Sequence, residues 1–249
     1  MMLAGKCAVV TGGASPRGIG WAIAMTFAEH GARVAILDLR GPEAAESAAA
    51  IGPMHRGFAC DVRDPEACRT ATAQAAAAFG GLDILVANAG VSEPRKLLDI
   101  TQEGYDRVVD TSLRGALNMA QAVVPYLLDR GGGSIVAIGS VSGERGGGVM
   151  GGAHYSAAKG GVHSLVKAMA REFAAEGIRI NAVAPGLIET DLIAGRLDAE
   201  RRAAVIAATP MGRIGTPAEV AGACLFLTSD LAAYVHGVTL DVNGGLHIH

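Results

Sequence analysis

The chain has 249 residues, half of them hydrophobic, and a formal net charge of −3. A chain of that size can bury a large core and lies near the upper size of one domain, so residues 1–249 read as a single domain without an internal linker. Near-neutral charge with no Lys/Arg run excludes the basic surface that nucleic acid or an anionic membrane requires, which leaves a small neutral or polar molecule as the expected partner.

Residues 1–6 run straight into a strand-like segment without the charged, apolar and cleavage regions of a leader, and no apolar run approaches the roughly 20 residues that span a bilayer. A cytoplasmic protein without membrane contact is expected. Beyond residue 6 the chain alternates. Short, nearly continuous apolar runs at 7–11, 34–38, 57–61, 84–88, 134–140 and 178–184 have the pattern of strands buried on both faces. Longer segments rich in Ala, Glu, Gln and Leu lie between and after them, at 20–30, 42–50, 65–79, 105–128 and 154–176, and predict helices. This repetition predicts an α/β fold, a doubly wound parallel sheet with helices on both faces and right-handed crossovers. Ligands of such sheets bind beyond the carboxyl ends of the strands, where the residues with chemistry gather.

The first such end reads Thr11-Gly12-Gly13-Ala14-Ser15-Pro16-Arg17-Gly18-Ile19-Gly20, between a strand and a helix. Glycines there let the backbone turn sharply and approach a pyrophosphate, while the helix N-terminus offers free N–H groups. Asp38 closes the second strand at the spacing that places a carboxylate on the adenosine ribose, which favours NAD over a cofactor with a 2′-phosphate. Arg17 in the turn and Arg40 beyond Asp38 are either phosphate ligands or solvated charges. Asp61 and Val62 are placed to flank the adenine, and Asn88-Ala89-Gly90 forms a tight turn over which a cofactor can pass.

Tyr155 and Lys159 stand four residues apart in a predicted helix, so a phenol and an ammonium share one face. A nearby cation favours phenolate and draws the phenol towards the working range of an acid–base group. His154 points to another face and reads as structural. Cys7, Cys60, Cys68 and Cys224 form no CxxC pair and read as reduced thiols packed as small hydrophobes, and no metal site is expected.

Taken together, the glycine turn, Asn88-Ala89-Gly90, Ser140, Tyr155-Ser156-Ala157-Ala158-Lys159, Pro185-Gly186 and Asn243-Gly244-Gly245 closely resemble the short-chain dehydrogenase/reductase family, in its order and over essentially the whole chain. The resemblance implies a Rossmann-type, seven-stranded parallel sheet whose last strand lies near 238–242, with a substrate-covering segment at about 187–210. It implies an NAD(H)-dependent oxidoreductase that transfers a hydride between nicotinamide and a secondary alcohol of polyol, hydroxy acid or 3-hydroxyacyl type, or its ketone. Ser140 would hydrogen-bond the substrate oxygen, with Ser142 as its near neighbour, Tyr155 would exchange the proton, and Lys159 would hold the ribose and tune the phenol. Gly12, Ser15, Arg17, Gly18, Ile19, Asp38, Asp61, Val62, Asn88, Ala89 and Gly90 would hold the cofactor. Pro185, Gly186, Ile188 and Thr190 would join them at the carboxamide, although Thr190 also reads as a helix N-cap. Val91, Glu93, Pro94, Val141, Val149, Gly186 and Leu192 are the expected substrate wall, with Glu93 hinting at a hydroxylated or cationic ligand.

Three departures qualify the likeness. The glycine turn is longer by two residues, Pro16-Arg17; the segment from 142 to 154 is long and rich in glycine; and Ser112 stands where the family has an asparagine that holds a relay water, so slower or rerouted proton exchange is expected. The likeness also implies a homotetramer, its subunits paired through helices 105–128 and 154–176, with His247 and His249 packing at an interface. The alternative function is a non-catalytic NAD-binding sensor or scaffold, which would have no use for a tuned phenol.

Overall fold

Strands β1 (Cys7–Thr11), β2 (Arg33–Asp38), β3 (Arg56–Ala59), β4 (Ile84–Ala87), β5 (Gly133–Ile138), β6 (Ile178–Pro185) and β7 (Thr239–Val242) form a seven-stranded sheet in the order β3-β2-β1-β4-β5-β6-β7. Every adjacent pair is parallel. The computed structural model describes residues 1–149, 151–191, 193 and 197–249. Side chains alternate across each strand, so Val9, Leu85, Ile135 and Ile180 face one core, and Ala8, Val10, Ile84, Val86 and Val183 face the other. Helices α1 (Ile19–Glu29), α2 (Gly41–Ile51) and α9 (Pro217–Thr228) close the second core, with Phe27, Ala48 and Cys224 buried there. On the first, α3 (Pro65–Phe79), α5 (Gly115–Asp129) and α7 (Ala153–Phe173) bury Phe79, Met119, Leu127 and Val166.

The chain winds outward from β1 to β3, returns to place β4 beside β1, and winds the other way to β7. That reversal opens a crevice at the carboxyl ends of β1 and β4, where the strand-end loops diverge.

The structure departs from the predicted elements where side chains cannot be read by period alone. The predicted helix 105–128 is two helices, α4 (Gln102–Val109) and α5, separated by a π-helical turn at Asp110–Arg114. The Gly115 N–H closes that wide turn on the Asp110 carbonyl, and a Cβ at Gly115 would stand 2.6 Å from Val62. Edge strand β3 ends at Ala59, with Asp61 turned to hold Arg63 instead of a ladder partner. β5 ends at Ile138; at the next residue, Gly139, a Cβ would lie 2.0 Å from the His163 ring, so the chain passes close to that ring just before Ser140. The short helix α6 (Ser142–Arg145) follows. Thr190 caps no helix among the described residues, since α8 (Ala199–Ala208) takes its N-cap from Asp198. All four cysteines are buried free thiols. Among the described residues no helix is long and apolar enough to cross a membrane.

Candidate active site

A cavity of about 1160 Å³ runs along the carboxyl ends of the strands, from the glycine turn after β1 to the segment after β6. At one end Gly12, Ser15, Gly18 and Ile19 line it, and Arg17 does not. Gly12 has φ +69°, and a Cβ there would stand 2.9 Å from the Ala89 backbone. At Gly20 a Cβ would meet the Gly12 carbonyl at 2.4 Å. Thr11 Oγ1 accepts the Asn88 and Ala89 N–H groups at 3.0 and 2.9 Å, while Asn88 Nδ2 donates to the Thr11 and Gly12 carbonyls. These bonds lock the two turns together and leave backbone, without side chains, facing the crevice. The cradle fits a dinucleotide pyrophosphate seated at the N-terminus of α1.

Asp38 lies at the end of β2 on the cavity wall, with Oδ2 accepting the Ala14 N–H at 3.1 Å and Oδ1 the Arg40 N–H at 3.1 Å. The Arg40 guanidinium stands 3.5 Å from Oδ1. Asp61 and Val62 line the same end, and Arg63 holds the Asp61 carboxyl below its ordinary range. Arg17, read as either a phosphate ligand or a solvated charge, is exposed, and its Nε pairs with Asp191 at 2.8 Å. Ser15 Oγ donates to the same carboxylate at 2.6 Å. The two additional turn residues thus carry Arg17 towards the segment after β6.

At the other end, Ser140, Tyr155 and Lys159 line the cavity together. Ser140 Oγ accepts the Ser142 N–H at 3.1 Å, which fixes the oxygen and frees its own proton for donation. The neighbouring Tyr155 phenol is raised above its ordinary value by burial, with the Ser140 hydroxyl pulling weakly the other way. Lys159 Nζ lies 5.9 Å from the Tyr155 ring centroid and donates to the Ile138 carbonyl at 2.7 Å. Burial pushes the ammonium down to about 8.

Ser112, on the π-helical turn, is buried, and its Oγ has no protein hydrogen-bond partner. A Cβ placed on Gly90 would meet Lys159 Nζ at 3.3 Å and Ser112 Oγ at 3.4 Å, so hydroxyl and ammonium border the same small space. The glycine-rich segment between α6 and α7 is shaped: Gly146, Gly147 and Gly148 have positive φ, and the Gly147 N–H donates to Ser156 Oγ at 2.8 Å.

Pro185, Gly186, Ile188 and Thr190 line the cavity beside the catalytic group, as do Val91, Val141 and Val149. Leu192 lies outside the described residues. Glu93 does not line the cavity. Arg95 first, and then Arg107 at 2.7 Å, hold its carboxyl below the usual range, and His154 Nε2 stands 3.9 Å away. Its negative charge is therefore spent inside the fold and cannot select a cationic substrate.

His163 escaped the sequence reading. Its Nε2 accepts the Ser140 N–H at 3.4 Å, and burial, reinforced by Lys159, pushes the ring down to about 4, which keeps it a neutral acceptor. The signal was its spacing, four residues beyond Lys159 and eight beyond Tyr155, on the same helical face.

Such a cradle, opening onto a serine, a phenol and an ammonium at the switch point of a parallel sheet, defines a dinucleotide-dependent oxidoreductase of Rossmann type. A family model described as enoyl-(acyl carrier protein) reductase matches residues 12–247. The chain is 49% identical to an uncharacterized short-chain type dehydrogenase/reductase, y4mP, of Sinorhizobium fredii, over all of both chains. It is 41% identical to the 3-oxoacyl-[acyl-carrier-protein] reductase FabG of Vibrio cholerae, again over the full length of each. The crystal structure of 3-ketoacyl-(acyl-carrier-protein) reductase from Brucella melitensis, complexed with NADH, superimposes with a TM-score of 0.91 at 34% identity, covering 99% of this chain and 100% of that one. The chain belongs to the short-chain dehydrogenase/reductase family. It is an oxidoreductase of CH–OH or keto groups.

Proposed function

We propose that this protein is an NAD(H)-dependent oxidoreductase acting on a secondary alcohol or its ketone, of 3-hydroxyacyl type in preference to a polyol or a hydroxy acid. The observation that carries the reading is the grouping of Ser140, Tyr155 and Lys159 at one end of a cleft whose other end presents glycine backbone and the Asp38 carboxylate. Asp38 supports NAD, because a 2′-phosphate at that edge would meet a carboxylate already fixed by two backbone N–H groups. The relative from Brucella melitensis, described with NADH, supports the same choice.

A bound nicotinamide would supply or accept the hydride. Ser140, oriented by the Ser142 N–H, donates to the substrate oxygen. Tyr155 moves the proton, giving it to the forming alkoxide in reduction and taking it in oxidation. Lys159, held by the Ile138 carbonyl, borders the phenol from within the fold. Pro185, Gly186, Ile188 and Thr190, which line the cleft beside them, would hold the carboxamide. The substrate side is walled by Val91, Val141, Val149, Ile193 and Leu246, and with Glu93 consumed by arginines this apolar surface suits an acyl chain.

The test is the ultraviolet absorbance change of reduced nicotinamide with 3-oxoacyl thioesters, sugars and simple ketones, each with NADH and with NADPH. Turnover with NADH on the acyl substrates is expected, with loss of at least about a hundredfold in Tyr155→Phe. An undiminished Tyr155→Phe enzyme would remove the assignment, and NADH binding without turnover across the panel would leave the sensor reading. A homotetramer is proposed alongside, from the family likeness, with α4–α5 and α7 as the pairing elements.

A further inference from the structure

Outside the lining of the cleft, a second group of polar side chains has no place in hydride transfer. Glu144 follows Ser140 by four residues and is mostly buried, yet its Oε2 is shut away from solvent without a hydrogen-bond partner. His247 Nε2 stands 3.8 Å from that oxygen, and His249 Nε2 lies 3.7 Å from Glu144 Oε1. Asp241, in β7, faces the same ring: its Oδ2 is 3.2 Å from His249 Nε2, while Oδ1 is occupied by the Asn243 amide at 3.0 Å. One ligand atom each from Glu144, His247 and His249 can be chosen so that all lie within 4.8 Å of one another.

We infer that Glu144, His247 and His249, joined by Asp241, form a binding site for a divalent transition cation of the Zn²⁺ class. The spacing carries this. Most of these nitrogen–oxygen separations exceed a hydrogen bond. Two ligands bonded at about 2.0–2.1 Å to one tetrahedral ion, however, stand roughly 3.3 Å apart, and the observed 3.2, 3.7 and 3.8 Å lie at or slightly beyond that edge. Two imidazoles with carboxylates suit zinc and its neighbours better than the hard cations, which take oxygen sets. The Glu144 and Asp241 carboxyls also stand against each other, a crowding of acidic groups away from solvent that a cation between them and the imidazoles would relieve.

The surroundings complete the site. Arg145 Nη1 donates to the Leu246 carbonyl at 2.8 Å and seats the segment bearing both histidines against α6. His163 Nδ1 lies 3.8 Å from Glu144 Oε1, and with its Nε2 on the Ser140 N–H it can orient the carboxylate from behind. A cavity of about 380 Å³ adjoins Glu144, His163 and His249, with room for water on the ion; Lys167 is the cation across it. The ion would tether β7 and the segment beyond it to α6, and so brace the wall that carries Leu246.

The experiment uses the full chain without a polyhistidine tag, stripped with chelator, equilibrated with ZnCl₂ and desalted, with zinc read by mass spectrometry and thermal unfolding followed with and without zinc. One zinc per chain and a rise in Tm with zinc concentration are expected in the wild type. His247→Ala/His249→Ala should lower zinc affinity by at least about 100-fold, since losing even an outer partner of a metal ligand costs about 10- to 100-fold. His249→Gln alone, at a solvent-accessible position, serves should the double variant fail to fold, and should lower affinity in the same direction. A wild type that retains no zinc, or a His249→Gln chain that retains as much as the wild type, overturns the site.

Discussion

Lys159 is a mostly buried ammonium on the wall of the cleft, hydrogen-bonded to one carbonyl and depressed by burial to about 8. The folded chain therefore holds this proton less tightly than the unfolded chain, whose lysine titrates at 10.5. The sign follows from linkage: below about pH 8 the buried charge costs stability in full, and as pH rises from about 8 to 10.5 the cost is relieved. Lys159→Met should thus compare with the wild type more favourably at pH 7 than at pH 10.5, by up to about 3 kcal/mol at 1.36 kcal/mol per pH unit, while turnover is lost at both. Urea unfolding of the two proteins across that range checks it, and a difference that does not vary with pH would count against a buried ammonium. Tyr155 and Lys159 were legible because i, i+4 spacing fixes who shares a helical face. Arg17 and Glu93 were not, because their partners Asp191, Arg95 and Arg107 depend on how distant loops are folded and on which charge reaches which first.

Elements carry the site by how closely their backbones approach. The α1 N-terminus comes so near the turn after β1 that a Cβ at Gly20 would meet the Gly12 carbonyl at 2.4 Å and the Asn88 amide at 2.6 Å. Gly20→Ala must push α1 away, at a cost of about 1–3 kcal/mol as for other overpacked positions, and must spoil the cradle. Fluorescence titration with NADH should show binding weakened by at least about tenfold, the equivalent of about 1.4 kcal/mol. Gly222→Ala in α9 is the control, because a Cβ there meets nothing within 4 Å and should stabilise by about 0.5–1 kcal/mol. Equal effects of the two substitutions would sink the close-approach explanation. Six of the seven strands were readable as apolar runs, whereas their order in the sheet and the break of 105–128 at the π-helical turn were not. The cause of the break is the fit of Gly115 against Val62, a contact between residues that no periodicity links.

At the scale of the whole molecule, the crevice at the switch point is bridged by a contact between its two halves. Asp191, after β6, receives Ser15 Oγ at 2.6 Å and Arg17 Nε at 2.8 Å from the glycine turn after β1. On the same side Glu189 is paired with Arg202 of α8, which joins that helix to the segment. The bridge exists because the turn is longer by Pro16-Arg17, so a departure visible in the sequence acquires its meaning only through residues about 175 positions away. Cofactor exchange is expected to break this contact. Arg17 and Asp191 are both well exposed, with side chains 68% and 48% accessible, so the pair contributes at most about 1 kcal/mol and slows opening by no more than about fivefold. Asp191→Asn should therefore speed NADH release by a factor between about two and five, and high salt should speed release from the wild type while leaving the variant nearly unchanged. Stopped-flow displacement of NADH at low and high ionic strength measures both effects. Identical release rates and salt dependence in the two proteins would show that the two halves part without breaking this bridge.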